Sequence, residues 1–229
     1  MDTLRLEFIN NFITDRRYMY LLSGLGNTFL ITFFAVIIGV VLGFLVAIIR
    51  STADRTGKLR FGDWICRLYL TVIRGTPVMV QLLIIYYVIF SSVVIDKRLA
   101  AVIAFGVNSG AYVAEIIRSG IMSIDIGQTE AGRSLGFTYA QTMRYIIMPQ
   151  AFKNVLPALA NEFIVLLKET SICGYIGLTD LTRGGDIIRS RTFSAFMPLI
   201  AVALIYLCIV MILTAFVNRL ERRLRTSER

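Results

Sequence analysis

The stretch YMYLLSGLGNTFLITFFAVIIGVVLGFLVAII, residues 18–49, holds 32 residues without a Lys, Arg, Asp or Glu. A helix crossing the hydrocarbon core of a bilayer needs about 20 apolar residues at about 1.5 Å each, so this run crosses a membrane with length to spare. The whole chain agrees: its 229 residues are 56% hydrophobic and 17% charged, with mean hydropathy +0.71, where soluble domains carry about 25% charge. Four further segments qualify less uniformly. Residues 75–95 and 192–218 are charge-free, 99–114 is charge-free and then meets Glu115, and 155–175 is interrupted by charge. The sequence reads as an all-α membrane protein of about five transmembrane helices, one domain over residues 1–229.

Asp2, Arg5, Glu7, Asp15, Arg16 and Arg17 precede the first apolar run with no small-residue cleavage site at the usual distance. That run is expected to be retained rather than removed as a signal. Lys and Arg in short loops stay on the cytoplasmic side. With five alternating passes one side collects fourteen of them, among them Arg50, Arg55, Arg67, Arg118, Arg133, Arg144, Arg222 and Arg229, against eight on the other. The N-terminus is therefore expected outside and the C-terminus inside.

The net charge of +9 is accounted for by inward-facing loops against an anionic leaflet, and no basic groove with interleaved aromatics suggests nucleic acid. There is no His, which removes the commonest general base and metal ligand. Cys66, Cys173 and Cys208 stand isolated in apolar surroundings and read as packing residues, with no metal site. Gly39 and Gly43 form a small-xxx-small pair suited to close helix approach. Pro77, just after Gly75, predicts a break between a short cytoplasmic-side helix and the membrane helix that follows.

One polar interlude does not fit a span or a plain loop: EAGRSLGFTYAQTMRYIIMP, residues 130–149. Thr138 and Gln141 have capping-box spacing, so a helix is expected from Tyr139. Met143, Ile146 and Ile147 give it one apolar face, and Pro149 is expected to discourage its continuation. Residues 130–135 predict a second short helix closed by Gly136 in a left-handed cap. Two short helices thus meet at a glycine turn on the cytoplasmic side, either resting on the membrane or offered to a partner.

The spacing Glu130-Ala131, Gly136, nine residues, Ile146 and Pro149 resembles the EAA motif of permease subunits of bacterial ATP-binding-cassette importers, with Gly132 in place of its third small residue and Met148 in place of Leu. RGTPVMVQL (74–82), SGAYVAEIIRSGI (109–121), LPALANEFIVLLKETSI (156–172) and RSRTF (189–193) resemble the polar amino-acid uptake branch of that family. The resemblance covers about residues 27–219. It implies that residues 124–149, through Glu130, Ala131, Gly132, Gly136, Ile146 and Pro149, dock on an ATPase subunit and transmit its motion. It also implies a second permease subunit, identical or related, an extracytoplasmic substrate-binding protein, and a bacterial cytoplasmic (inner) membrane. The chain has no GxxxxGK[ST] phosphate loop, so it is expected to bind no cofactor and to leave ATP–Mg to the partner ATPase.

Ionisable groups within spans are costly and mark pathways or partners. Glu162 and Glu169, seven residues and two turns apart, share a face with Asn161, Thr170 and Ser171 nearby, while Glu115 and Arg118 share a face of the third span. Arg118 opposite Glu162 or Glu169 would suit the two charges of an amino acid; the same residues would equally neutralise one another as an interhelical ion pair. Thr76 and Gln81, beside the proline break, are candidate pathway residues. The function expected is translocation of polar amino acids by alternating access, with the chain a transport subunit rather than an enzyme. Two rivals are a membrane enzyme using Glu162 and Glu169 as an acid–base pair, and a channel-like subunit that gates without ATP.

Overall fold

The computed structural model describes residues 2–226 and is helical throughout, with no strand among the described residues; of the residues counted for orientation, Arg229 lies outside them. Helices run in the order α1 (Asp2–Phe8), α2 (Tyr18–Thr56), α3 (Arg60–Gly75), α4 (Val78–Ile84), α5 (Lys97–Met122), α6 (Ile126–Ser134), α7 (Tyr139–Thr142), α8 (Met148–Glu169), α9 (Leu181–Thr192) and α10 (Phe196–Thr226). The 39 residues of α2 extend about 58 Å, so one end stands clear of a hydrocarbon core about 30 Å thick.

The centre of the molecule is the α2–α5 pair, and the small-xxx-small signal lies in its seam. A Cβ on Gly39 would stand 2.7 Å from Ser109 Oγ, and one on Gly43 2.6 Å from Val113, closer than side chains tolerate. Glycine is required here by approach rather than by backbone conformation. Because 39 meets 109 and 43 meets 113, the two helices run parallel. The chain between them must therefore return to the side from which α2 started. In the other seam Ser109 meets Glu162 and Gly120 meets Val155, so α8 runs antiparallel to α5. α10 closes the bundle beside α8 and α9.

The return path departs from a single straight span over 75–95. α3 and α4 meet at an angle of 110° at Thr76 and Pro77, where Thr76 takes extended backbone and Pro77 precedes the first turn of α4. From Val78 the helix continues as a π-helical turn to Ile89, about 18 Å in all. α3 is strongly amphipathic: Phe61, Trp64, Ile65, Leu68 and Val72 are exposed on one face, with Cys66 and Leu70 buried on the other. Such a two-faced pattern has the character of a helix at a membrane interface. Three helices, α2, α5 and α10, are long and apolar enough to span singly, or four if the bent pair counts as one broken span. α8 is not among them; it carries Lys153, Glu162, Lys168 and Glu169.

The bend is fastened by Gln81. Its buried Nε2 donates to the Ile73 carbonyl at 2.7 Å and lies 2.8 Å from Thr76 Oγ1, while Oε1 accepts from Asn108 Nδ2 of α5 at 2.9 Å. Gln81→Leu leaves the buried Asn108 amide without this acceptor, and a buried unsatisfied group costs about 1–3 kcal/mol. The expected result is a lower thermal midpoint of the detergent-solubilised protein, with proteolysis appearing first around residues 74–78; an unchanged midpoint contradicts the fastening role.

At the far end of the bundle the loop before α9 is tied to the helices it caps. Asn27 Nδ2 donates to the Thr179 carbonyl at 2.7 Å, Lys97 Nζ to the Gly177 carbonyl at 3.2 Å, and the Asp180 carboxylate accepts from the Thr182 N–H at 2.8 Å. α9 follows directly from this loop. Cys66 and Cys173 are buried as packing residues, whereas Cys208 is exposed on α10.

Candidate functional site

The polar interlude folds as two helices joined by a glycine turn. Asp125 caps α6 by accepting from the Gly127 N–H at 2.7 Å. At its other end the Gly136 N–H donates to the Arg133 carbonyl and the Phe137 N–H to the Gly132 carbonyl, at 3.0 and 3.1 Å. This paired closure requires a left-handed residue, and Gly136 supplies it with φ +83°. The capping box of α7 is present: Thr138 Oγ1 accepts from the Gln141 N–H at 3.4 Å, and Gln141 Oε1 from the Thr138 N–H at 2.8 Å.

Pro149 does not end the helix. A π-helical turn over Met143–Ile147 leads straight into α8, with Pro149 in its first turn. There a missing N–H is tolerated, and the wider turn just before it relieves the ring. α7, the π-helical turn and α8 are therefore one continuous rod.

Gly132 explains its own departure from the motif. It is buried against α7 and the π-helical turn, and a Cβ there would lie 2.7 Å from Thr142 Cγ2 and 3.1 Å from Ile146 Cδ1. Gly132→Ala overpacks this contact, at about 1–3 kcal/mol. Faster amide exchange confined to residues 126–147 is expected, and exchange unchanged from wild type counts against the contact. Around it Glu130, Ala131 and Pro149 are exposed, as are Ile126, Leu135, Phe137, Tyr139 and Tyr145. A polar hairpin that exposes this much apolar area has the composition of a binding face.

The second feature is a cleft of about 1040 Å³ between α5, α8 and α10. Glu162 stands on its wall, buried, and accepts from Ser109 Oγ at 2.9 Å. Glu115 faces the same space and pairs with Arg74 at 3.7 Å, whose guanidinium lies 5.8 Å from the centre of the Tyr112 ring. Asn161 also lines it. Three carboxylates, Glu115, Glu162 and Glu221, and two cations, Arg74 and Lys153, thus line one cleft with Tyr112 and Asn161, where the sequence had marked Glu115, Glu162 and the neighbouring Asn161.

The other candidates are dispersed. Arg118 does not face Glu162 or Glu169; it opens into a separate cleft between α2 and α5 with Arg50. α5 is packed on both sides, so the rotation of about 60° between positions three apart sends Glu115 and Arg118 into different spaces. Glu169 lies about 10 Å further along α8 than Glu162, beside Thr170, whose hydroxyl donates to the Leu167 carbonyl at 2.8 Å, and Ser171. Thr76 is exposed, and Gln81 is engaged at the bend. Ser109, Asn108, Tyr112 and the inward role of Arg74 were not singled out by the sequence. The adjacent polar pair Asn108-Ser109 inside an apolar run was the available signal.

Residues 39–226 match the family model described as the binding-protein-dependent transport system inner membrane component. The chain belongs to this family. As a member it is a multi-pass permease component of an ATP-binding-cassette importer, a transport subunit and not an enzyme, with ATP hydrolysis on a separate subunit. It is 40% identical to the arginine transport system permease protein ArtQ of Bacillus subtilis over 91% of this chain and 94% of the relative. It is 38% identical to the glutamine transport system permease protein GlnP of Escherichia coli K12, over 90% and 93%. Among solved structures it is similar to a crystal structure described as an amino acid ABC transporter with histidines, 46% identical, TM-score 0.83, over 93% of this chain and 98% of that one. The inward-facing MetNI methionine ABC transporter, 20% identical with TM-score 0.75 over 90% and 96%, shares the fold.

Proposed function

We propose that this permease carries polar amino acids across a bacterial cytoplasmic membrane in five passes, N-terminus out and C-terminus in, by alternating access. The pass number is supported by helix direction: α2 and α5 run parallel, so the bent α3–α4 unit is the intervening return, and α8 and α10 complete the alternation. Orientation is supported by the arginines gathered at the α6–α7 end.

The observation that carries the substrate class is the cleft chemistry. The Glu162 and Glu115 carboxylates suit an α-amino group or a basic side chain, and Arg74 suits an α-carboxylate. Similar proteins are named for the transport of arginine and of glutamine, and one is described as an amino acid ABC transporter with histidines, which agrees with a zwitterionic substrate. Glu169 at the end of α8, and Thr170 and Ser171 in the turn that follows, are later contacts on the path, and Thr76 and Gln81 hold its bent wall. Partners are an ATPase bound by the α6–α7 face, which alone carries ATP–Mg, a second permease subunit that completes the pathway, and an extracytoplasmic binding protein. The chain itself holds no cofactor.

The test is ATPase activity of the reconstituted permease, ATPase and binding protein in liposomes, screened against single amino acids. Stimulation by one or a few polar amino acids is expected. An assembled complex that hydrolyses ATP and responds to none of them overturns the substrate class.

A further inference from the structure

Beside the central helix seam, at the end of the bundle that carries α6 and α7, lies a cleft of about 320 Å³ between α2 and α5, with Arg50, Ser51 and Asp54 on one wall and Arg118 on the other. The carboxylates near it are already engaged. Asp54 pairs with Arg67 at 3.5 Å, and Asp63 with Arg67 at 2.7 Å and Arg50 at 3.4 Å. Arg118 is half-buried and has no hydrogen-bond or ion-pair partner among the described residues. The Nε of Arg50 is buried and meets Asp63 only in that ion pair, without a hydrogen bond. Three arginines against two carboxylates leave one positive charge over, localised at the mouth between Arg118 and Arg50.

An unpaired guanidinium in a half-buried interhelical position is costly unless an anion meets it. Its planar donors match phosphate oxygens better than any other side chain does, and basic pockets between membrane helices on the cytoplasmic side suit anionic headgroups. A second groove continues from this cleft: it shares Ala47, Ser51 and Ile121 with it and runs past Phe44 and Ile48, whose side chains are exposed on the outer face of α2. A phosphate with an apolar tail fits the pair of spaces; a free phosphate would use only the first.

We propose that Arg118 and Arg50 hold the phosphodiester of an anionic phospholipid, its acyl chain lying along the apolar groove. Only the choice of leaflet rests on the orientation proposed above. Because that groove is closed on its other side by Tyr139, Met143 and Met148, the bound lipid sits against the α7–α8 rod.

The experiment is native mass spectrometry of the purified full chain in detergent, titrated with phosphatidylglycerol or phosphatidylcholine, with and without millimolar inorganic phosphate. This readout needs no transport, so it stands or falls separately from the substrate class. Phosphatidylglycerol is expected to bind in preference to phosphatidylcholine. Arg118→Gln and Arg50→Gln should each weaken it about tenfold, the scale of one hydrogen bond to a charged group. Arg118→Lys should weaken it less, and Arg98→Gln, an exposed arginine at the opposite end of α5, should leave it unchanged. Equal retention of the two lipids overturns the proposal, as does phosphatidylglycerol binding indifferent to both glutamine variants. Displacement by inorganic phosphate would show a free-anion site and likewise overturn it.

Discussion

Gly136→Pro is expected to abolish coupled transport while the chain still inserts. Proline fixes φ near −65° and has no N–H, whereas position 136 holds φ +83° and its N–H donates to Arg133. Both requirements of the turn are lost at once, and α6 and α7 no longer keep their angle. A graded series separates this from general damage. A Cβ at position 136 meets nothing within 4 Å, so Gly136→Ala bears only the left-handed backbone cost of about 1–2 kcal/mol, and Gly136→Asn less. Amino acid taken up per ATP hydrolysed in proteoliposomes should fall in the order Asn, Ala, Pro. A proline variant with wild-type uptake would contradict the role of the turn.

Glu162→Gln is expected to have the largest effect on substrate recognition. Glutamine keeps the size of the side chain and an oxygen for the Ser109 hydroxyl, 2.9 Å away in the native protein, so packing is preserved and only the charge is removed. A hydrogen bond between charged groups in such a cleft contributes about 1.5–3 kcal/mol, and about 1.4 kcal/mol is a factor of ten in affinity. The amino-acid concentration for half-maximal ATPase stimulation should therefore rise at least about tenfold, with basal hydrolysis unchanged. Glu169→Gln, beyond the cleft, should shift it less. An unchanged concentration dependence in Glu162→Gln returns this carboxylate to a purely structural place beside Ser109.

What could be read beforehand depended on how local its cause was. The Pro77 break, the capping box at Thr138 and the left-handed cap at Gly136 are set by residues within one turn, and each stands where its chemistry put it. Gly39 and Gly43 announced a close partner without naming it, because Ser109 and Val113, which they meet, lie 70 residues further along the chain. Pro149 was misread because its stop signal assumes an ordinary α-helix, and a π-helical turn precedes it. The cleft was half legible. Glu115 and Glu162 stood out as charges in apolar runs, but Arg118 was placed with them on helical periodicity alone, which gives the face of a helix and not its neighbour. Arg74 could be brought to Glu115 only by the 110° bend, whose angle no local residue dictates.

Docking of the α6–α7 hairpin on the ATPase is tested most directly by cross-linking. Leu135, 75% exposed at the tip of the turn, is replaced by cysteine in a chain whose exposed Cys208 has been changed to serine, Cys66 and Cys173 being buried. The assembled complex is then treated with a short thiol-to-amine reagent. A permease–ATPase adduct at position 135 that is absent from the cysteine-free surface control is the expected result. Full assembly and ATP hydrolysis with no adduct at position 135, or at Arg133→Cys beside it, would contradict the docking of this hairpin.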